Sequence, residues 1–225
     1  PAAPNSGLTR QRNRCAAALH RGGTFARAIL PAAEEAVAYS LRGGILGKMT
    51  RVDERGLFEG KLRGKPKPVK YRCRSQANEW WVTDPYSFGP VLGPVDDLLV
   101  AQGTHYRLFD KMGAHPIEHE GCRGVHFAVW APNARLVSLV GDFNDWDGAR
   151  HPMRARHSVG IWEIFIPNIG DGTIYKFAIL GADGVWREKA DPFAFATEVP
   201  PATGSVVYTS DYQWSDGQWM AQRAQ

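Results

Sequence analysis

The chain has 225 residues, of which 44% are hydrophobic and 22% are charged. This composition is typical of a folded globular protein and excludes a wholly disordered chain. No stretch reaches the roughly 18 apolar residues that a membrane-spanning helix needs, so no membrane partner is predicted. The length fits one large domain or two ordinary domains of roughly 100 to 150 residues. The 24 Gly and 15 Pro indicate many turns, which favours an all-β architecture of short elements.

The formal net charge of +4 is unevenly distributed, with +7 over residues 1–104 and −3 over residues 105–225. The basic residues of the first half are interleaved with Gly and Pro, so a solvated surface is a simpler interpretation than a nucleic-acid site, and no nucleic-acid partner is predicted. The three Cys show no CxxC spacing and the seven His no HExxH motif, so the sequence predicts neither a metal site nor a cofactor. Unpaired cysteines are typical of the reducing cytoplasm.

Most elements predicted along the chain are strands separated by turn residues, after a poorly ordered tail at 1–22. In the first half, alternation of apolar and polar residues predicts strands at 24–30, 57–62, 69–73 and 80–82. In the second half, it predicts strands at 125–130, 136–140, 160–166 and 173–180. Between the halves, Pro94 suits the first position of a helix and Gly103 suits its C-terminal cap, so a short helix is predicted there.

The two halves of the sequence repeat each other. Four matches occur in the same order, with an offset that rises from 101 to 107 residues: Pro31 and Pro132, GLFE at 56–59 and GIWE at 160–163, Tyr71 and Tyr175, and DPYSF at 84–88 and DPFAF at 191–195. The repeat predicts two similar β-sandwiches in tandem. It also overrides the local helix propensity of residues 32–41, whose repeat partner is a turn and a strand. The predicted division is a sandwich module at 23–92, a linker helix at 93–104, a sandwich module at 105–210 and a further linker at 211–225.

The candidate site is the loop GDFNDWDG at 141–148, which follows a predicted strand. Asn and Asp side chains hold such loops by bonding their own backbone. An indole at the tip, Trp146, would leave part of roughly 150–250 Å² of side chain in water unless a partner covers it. A sugar suits that position, because its apolar C–H face stacks on a flat ring while Lys or Asn side chains bond its hydroxyl rim.

The candidate binding residues are therefore Trp146, Asn144, Lys176 on the TIYKF strand and Trp186 after the next hairpin turn. We expect the two tryptophans and the lysine to converge on one edge of the sandwich. The alternatives are that Trp146 packs against another domain and that Lys176 and Trp186 lie on a solvated surface. Trp130 and Trp162 lie within strong strands and are predicted to be core residues.

Several runs of this sequence resemble a known family. The run AVWAPNARLVSLVGDFNDWDGARHPMR at 128–154, followed by GIWEIFIP, YKF and KADPFAF, resembles the N-terminal region of bacterial 1,4-α-glucan (glycogen) branching enzymes. The second module is similar to the family-48 carbohydrate-binding module. HPMR after the Trp loop, and DPYSFGP in the first repeat, favour the branching enzymes over isoamylase-type enzymes and kinase glycogen-binding subunits.

This resemblance implies two immunoglobulin-like β-sandwiches, a cytoplasmic location, and α-1,4-glucan contacts at Trp146, Lys176 and, after a small insertion, Trp186. It implies as a partner the family's (β/α)₈ catalytic barrel, which works by a retaining mechanism with two carboxylates. No residue here matches the catalytic motifs, so no catalytic residue is predicted and the chain alone is expected to be inactive. The alternatives are a docking module that sets chain-length preference without binding glucan, and a stand-alone glycogen-targeting module. The first module has no Trp loop, because residues 37–46 read VAYSLRGGIL, and is expected to be structural.

Overall fold

The computed structural model describes residues 18–20, 23–64 and 68–223. Seven strands form the first half of the described chain: β1 (Ala18–His20), β2 (Gly23–Ile29), β3 (Glu35–Ser40), β4 (Ile45–Asp53), β5 (Leu57–Leu62), β6 (Val69–Arg74) and β7 (Glu79–Thr83). The second half holds β8 (Gly113–His119), β9 (Cys122–Trp130), β10 (Leu136–Gly141), β11 (Arg154–Arg156), β12 (Ile161–Pro167), β13 (Ile174–Leu180), β14 (Trp186–Lys189), β15 (Ala196–Thr197) and β16 (Ser205–Val206). The helices are α1 (Pro94–Ala101) and α2 (Gly217–Gln222).

The first half folds as one antiparallel sheet in the order β1-β2-β5-β4-β3-β6-β7. Its strands confirm the predicted ones, and residues 32–41 form a turn followed by β3, as the repeat required. Strand β1 lies within the predicted tail, whose other residues are outside the described ones. Strand β4 was not predicted, because only Met49 in it is buried and its pairing shifts register on both sides.

The second half folds as two sheets, with strand orders β10-β13-β16-β15 and β11-β12-β9-β8, while β14 pairs with β13. Side chains from both sheets form one buried core, among them Phe127 of β9, Ile164 of β12, Leu139 of β10 and Phe177 of β13. The chain is therefore all-β, with sandwich packing and a short helical linker. Strand β8 was not predicted, because Pro116 interrupts its pattern, but a proline is tolerated at the edge of a sheet.

Each half contains a buried tyrosine–aspartate hydrogen bond at equivalent positions of the repeat. Tyr71 donates its hydroxyl to Asp84 at 3.4 Å, and Tyr175 donates its hydroxyl to Asp191 at 2.5 Å. Each aspartate also accepts a backbone N–H two residues further on, at 2.8 Å. All four side chains are buried, so the sequence repeat corresponds to a repeated polar contact inside the two cores.

The linker packs against the second half. Helix α1 begins after Gly93, whose N–H donates to the Asp96 carboxylate at 2.8 Å. Leu92 and Met112 form a small buried cluster with Ala128 and Ile161 on the outer side of the β9–β12 pair. This packing gives the sheet β11-β12-β9-β8 a second covered face, and it explains why β12 is buried along its whole length.

The two tryptophans that were predicted as core residues differ. Trp162 is buried, as expected, but Trp130 is 62% exposed, so its prediction was wrong. Trp130 alternates onto the face of β9 that the linker covers at Ala128, and it lies beyond the end of that cover. Its indole N–H donates to the Val159 carbonyl at 3.1 Å. Among the described helices, none has the length and apolar character needed to span a membrane.

Candidate functional site

The loop that carries Trp146 has a constrained backbone. Strand β10 ends at Gly141, the chain makes one 3₁₀ turn at Asp142–Asn144, and Asp145 and Trp146 follow with φ angles of +55° and +57°. A left-handed backbone at non-glycine residues costs on the order of 1–3 kcal/mol each and persists only where its surroundings hold it. The Trp146 N–H donates to the Gly141 carbonyl at 3.1 Å, which closes the loop.

Asn144 is the buried anchor of this loop and is only 1% exposed. Its Oδ1 accepts the Gly141 N–H at 3.0 Å, and its Nδ2 donates to the Leu139 carbonyl and to His151 Nδ1, both at 2.9 Å. The sequence predicted Asn144 as a sugar contact, but every polar atom of its amide is occupied inside the protein. The structure instead gives it the role of holding the loop.

His151 completes the anchor as a neutral ring. Burial, together with the nearby Arg150 guanidinium, lowers the pKa of His151 to about 4. The neutral imidazole leaves Nδ1 free to accept the Asn144 amide. Arg150 also bonds Asp145 at 2.7 Å, so the outside of the loop is held as well.

Trp146 is oriented by two charged side chains and is 37% exposed. Its indole N–H donates to Asp142 Oδ1 at 3.1 Å. Lys176 Nζ lies 5.9 Å from the centroid of the ring, within the range of a cation–π contact. Sequence reasoning missed Asp142, although the acid that opens the Asp-Phe-Asn-Asp-Trp run was the available signal.

Lys176 and Trp186 share the outer face of the sheet that β10, β13 and β14 form. Lys176 pairs with Val140 of β10, and Trp186 pairs with Leu180 of β13. Because residues four apart on a strand point to the same side, Lys176 and Leu180 face outward together, about 13 Å apart along β13. Trp186 is 39% exposed at that far end. The structure thus brings Trp146 and Lys176 together and places Trp186 further along the same face.

This arrangement suits a neutral, hydroxyl-bearing ligand with apolar faces. The half-open indole offers a flat surface, and the Lys176 ammonium offers up to three hydrogen-bond donors beside it. In the described parts of the chain, no group of three or more His, Cys, Asp or Glu side chains is placed to hold a metal ion.

Sequence comparison shows which known proteins this part of the chain is similar to. The profile of "Carbohydrate-binding module 48 (Isoamylase N-terminal domain)" matches residues 111–194, which include Trp146, Lys176 and Trp186. The chain is 64% identical to the 1,4-α-glucan branching enzyme of Novosphingobium aromaticivorans over 202 residues, which is 88% of this chain and 28% of that protein. It is 58% identical over 197 residues to the branching enzyme of Mesorhizobium japonicum, covering 86% of this chain and 27% of that protein.

A further relative is branching enzyme 1 of Rhizobium johnstonii, which is 53% identical over 203 residues, 88% of this chain and 28% of that protein. The chain therefore spans just over a quarter of the length of the curated relatives that it matches. Residues 111–194 are thus similar to the carbohydrate-binding module 48 family, and the chain is similar over most of its length to a part of bacterial 1,4-α-glucan branching enzymes.

Proposed function

We propose that the chain binds α-1,4-glucan chains, such as glycogen, as the carbohydrate-binding portion of a 1,4-α-glucan branching enzyme. The observation that carries the proposal is the Trp146 loop, where a strained backbone and the buried Asn144 hold a half-exposed indole beside Lys176. Local strain that the surrounding structure maintains is common at ligand-binding sites. The module family and the branching-enzyme relatives support the same ligand class.

In the proposed complex, a glucose ring stacks on Trp146 while Lys176 donates to its hydroxyls. The same chain continues along the outer face of β13 toward Trp186, over the about 13 Å that the strand register sets. An oligosaccharide of a few units reaches that far. Leu180, which is partly exposed, offers apolar surface near the Trp186 end, whereas Ala178 between the two ends is buried beside Gly148 of the Trp loop.

The larger context is proposed from the relatives. The glucan-binding portion would hold the substrate chain near the (β/α)₈ barrel, which would cut α-1,4 bonds and rejoin the chain by α-1,6 bonds. We place this function in the cytoplasm, where Cys73 and Cys122 would remain the free thiols that the structure shows. The proposed module boundaries are 23–92 and 105–210, joined by residues 93–104.

The test is a titration of the chain with maltoheptaose, followed by tryptophan fluorescence. A small site of this kind is expected to bind with a dissociation constant between roughly tens of micromolar and millimolar. Trp146→Ala should abolish the response, whereas Trp146→Phe, which keeps a flat ring, should retain part of it. Trp130→Ala, which removes another exposed tryptophan, is the matched control and should bind like the unaltered chain.

Two results would contradict the proposal. One is the absence of any response up to about 10 mM maltoheptaose. The other is an unchanged affinity in Trp146→Ala, with Trp130→Ala behaving in the same way.

A second candidate function is docking on the catalytic domain. Residues 208–220 carry a run of exposed side chains, Tyr212, Trp214 and Trp219 among them, and Trp214 is 78% exposed. Exposed apolar surface of this extent marks contact sites. If this surface docks the barrel, the separately produced barrel should co-elute with the chain, and Trp214→Ser should weaken co-elution. Failure to co-elute would exclude this role.

A further inference from the structure

The outer face of the first sheet carries a cluster of aromatic and basic side chains. Strand register places Trp81 of β7 beside Arg72 of β6, and Lys70 of β6 beside Tyr39 of β3. The rings of Tyr39 and Trp81 meet edge to face with centroids 5.0 Å apart. Lys70 Nζ lies 4.9 Å from the Trp81 ring centroid, and Arg72 lies 5.5 Å from that of Tyr39. These four residues are the β7 platform.

The β7 platform holds its tryptophan firmly but leaves it half open. Trp81 is 50% exposed, whereas the Tyr39 that supports it is only 8% exposed. The neighbouring Trp80 packs against the core of the first sheet, so the chain turns one of two adjacent indoles outward. An apolar ring left in water on an ordered strand is a surface that a ligand would cover.

The two basic side chains of the platform are available to a ligand. Within the described residues, neither Lys70 nor Arg72 takes part in an ion pair, and their contacts are with the two aromatic rings. Lysine and arginine are donors only, and sugar hydroxyls accept such donors. The platform therefore combines a flat apolar surface with unpaired donors at its rim.

The platform lies on the part of the first half that corresponds to the sheet of the Trp146 site, but on the other side of the central strand, because β7 corresponds to β14 whereas the Trp146 loop follows β10. Strands β3, β6 and β7 pair as β10, β13 and β14 do, and the repeat aligns Tyr71 with Tyr175. Arg72 consequently corresponds to Lys176. Each half thus has a partly exposed indole within about 6 Å of a lysine ammonium, although Lys70 and Trp81 are not the repeat counterparts of Lys176 and Trp146.

We propose that Trp81, Lys70 and Arg72 form a second contact for α-glucan, so that one long chain engages both halves of the molecule. The choice of ligand class rests on the function proposed for Trp146. A nucleic acid is less suited to the platform, because single-strand binding surfaces stack successive bases along a basic groove and only one ring here is open.

The test uses the full chain and compares a long glucan with a short one. Two linked weak contacts bind a long ligand more tightly than either contact alone, often by a hundredfold or more. Trp81→Ala should weaken the retardation of the chain in glycogen-containing gels by at least about tenfold. The residual glycogen binding of Trp146→Ala should disappear in the double variant.

Two controls separate this proposal from the loss of folding and from the proposed function. Unfolding by urea shows whether Trp81→Ala is folded, and Lys70→Gln, which leaves the ring in place, should weaken glycogen binding in the same direction. If only Trp81→Ala and Lys70→Gln reduce binding while Trp146→Ala does not, the function proposed for Trp146 fails and the β7 platform stands.

The proposal is overturned if folded Trp81→Ala binds glycogen like the unaltered chain. It is also overturned if Trp81→Ala and Lys70→Gln reduce binding to heparin but not to glycogen, because the face would then be a polyanion surface.

Discussion

One glutamate position distinguishes the two halves of the molecule. Glu59 of β5 and Glu163 of β12 are equivalent in the repeat, since GLFE at 56–59 matches GIWE at 160–163. Glu59 is partly exposed and forms an ion pair with Arg27 at 2.5 Å, with both side chains more than a third exposed. Glu163 is 2% exposed and accepts four hydrogen bonds. The same strand position thus supports a surface ion pair in one half and a buried network in the other.

The start of the linker and the two residues before it cause this difference. Glu163 Oε2 accepts the N–H groups of Val91 and Leu92 at 3.0 and 3.1 Å and the His126 ring N–H at 3.2 Å. Its Oε1 accepts from Arg156 at 2.8 Å, and Arg156 also pairs with Asp97 of α1. The Glu163 carboxylate, which lies on the face of its sheet, thus binds the segment that joins the two halves. The comparison shows that the repeat determines that a strand forms at this position, whereas the neighbouring segment determines what its glutamate binds.

Among the variants that test this comparison, Glu163→Gln should lower the free energy of unfolding the most. The substitution removes the more deeply buried of the two carboxylates that pair with Arg156, leaving Asp97, and presents an amide N–H₂ toward the His126 and backbone N–H donors. Breaking a buried pair from one side costs about 3–5 kcal/mol, so the free energy of unfolding should fall by that amount in urea titrations. Glu59→Gln, the matched control, should cost less than about 1 kcal/mol. Equal effects at the two positions would show that the linker does not bury the Glu163 network in solution.

Glu163 also gives the second half a pH dependence. Burial alone would raise the pKa of Glu163, but the His126, Leu92 and Arg156 donors outweigh it and lower the pKa to about 2. A lowered carboxyl pKa stabilises the fold at pH values above the unfolded pKa of about 4.3. That contribution is lost as the pH falls from there toward 2, and it should be absent in Glu163→Gln.

The next expected change in stability concerns Asp84, whose pKa is raised whereas that of Glu163 is lowered. Burial raises the pKa of Asp84 to about 7, although bonds from the Tyr86 N–H and the Tyr71 hydroxyl oppose the shift. Because the pKa of Asp84 is raised in the folded state, the protonated carboxyl contributes fully to stability below about pH 4. This contribution is lost as the pH rises through 7. Each pKa unit corresponds to about 1.4 kcal/mol, so the free energy of unfolding of the first half should fall by up to about 4 kcal/mol between pH 4 and pH 7. Asp84→Asn should abolish the loss and be more stable than the unaltered chain at pH 8.

Asp191→Asn is the comparison for that variant. Burial also raises the pKa of Asp191, but its bond from the Tyr175 hydroxyl is shorter, at 2.5 Å, than the 3.4 Å of the Tyr71–Asp84 pair. The shorter bond stabilises the charged carboxylate of Asp191 more strongly, so Asp191→Asn should gain less stability at high pH than Asp84→Asn. Stability curves for the two variants, recorded from pH 4 to 8, measure the difference.

The sequence predicted the tandem sandwiches because four matched segments, about 100 residues apart and in the same order, indicate that the two halves have the same fold. It predicted the strands with clear alternation and missed β4, whose residues are mostly exposed on both faces. At the site, it identified Trp146 and Lys176 but assigned Asn144 to the wrong surface, because burial depends on how the loop folds back on Leu139 and His151. Trp81 was not among the predicted binding residues, since its contacts with Tyr39 and Lys70 join side chains from three different strands.

Asn144 gives the smallest expected change in stability, although it would affect ligand binding strongly. Asn144→Ala leaves the Leu139 carbonyl and the Gly141 N–H without their partner, which should cost about 1–3 kcal/mol. The left-handed backbone at Asp145 and Trp146 then loses its support, so affinity for maltoheptaose should fall although no ligand contact is removed. A residue in direct contact would instead weaken binding at unchanged stability. Asn133→Ala, in the turn between β9 and β10, is the control and should leave both quantities unchanged. If Asn144→Ala weakens binding with no loss of stability, Asn144 contacts the sugar and the anchoring role is wrong.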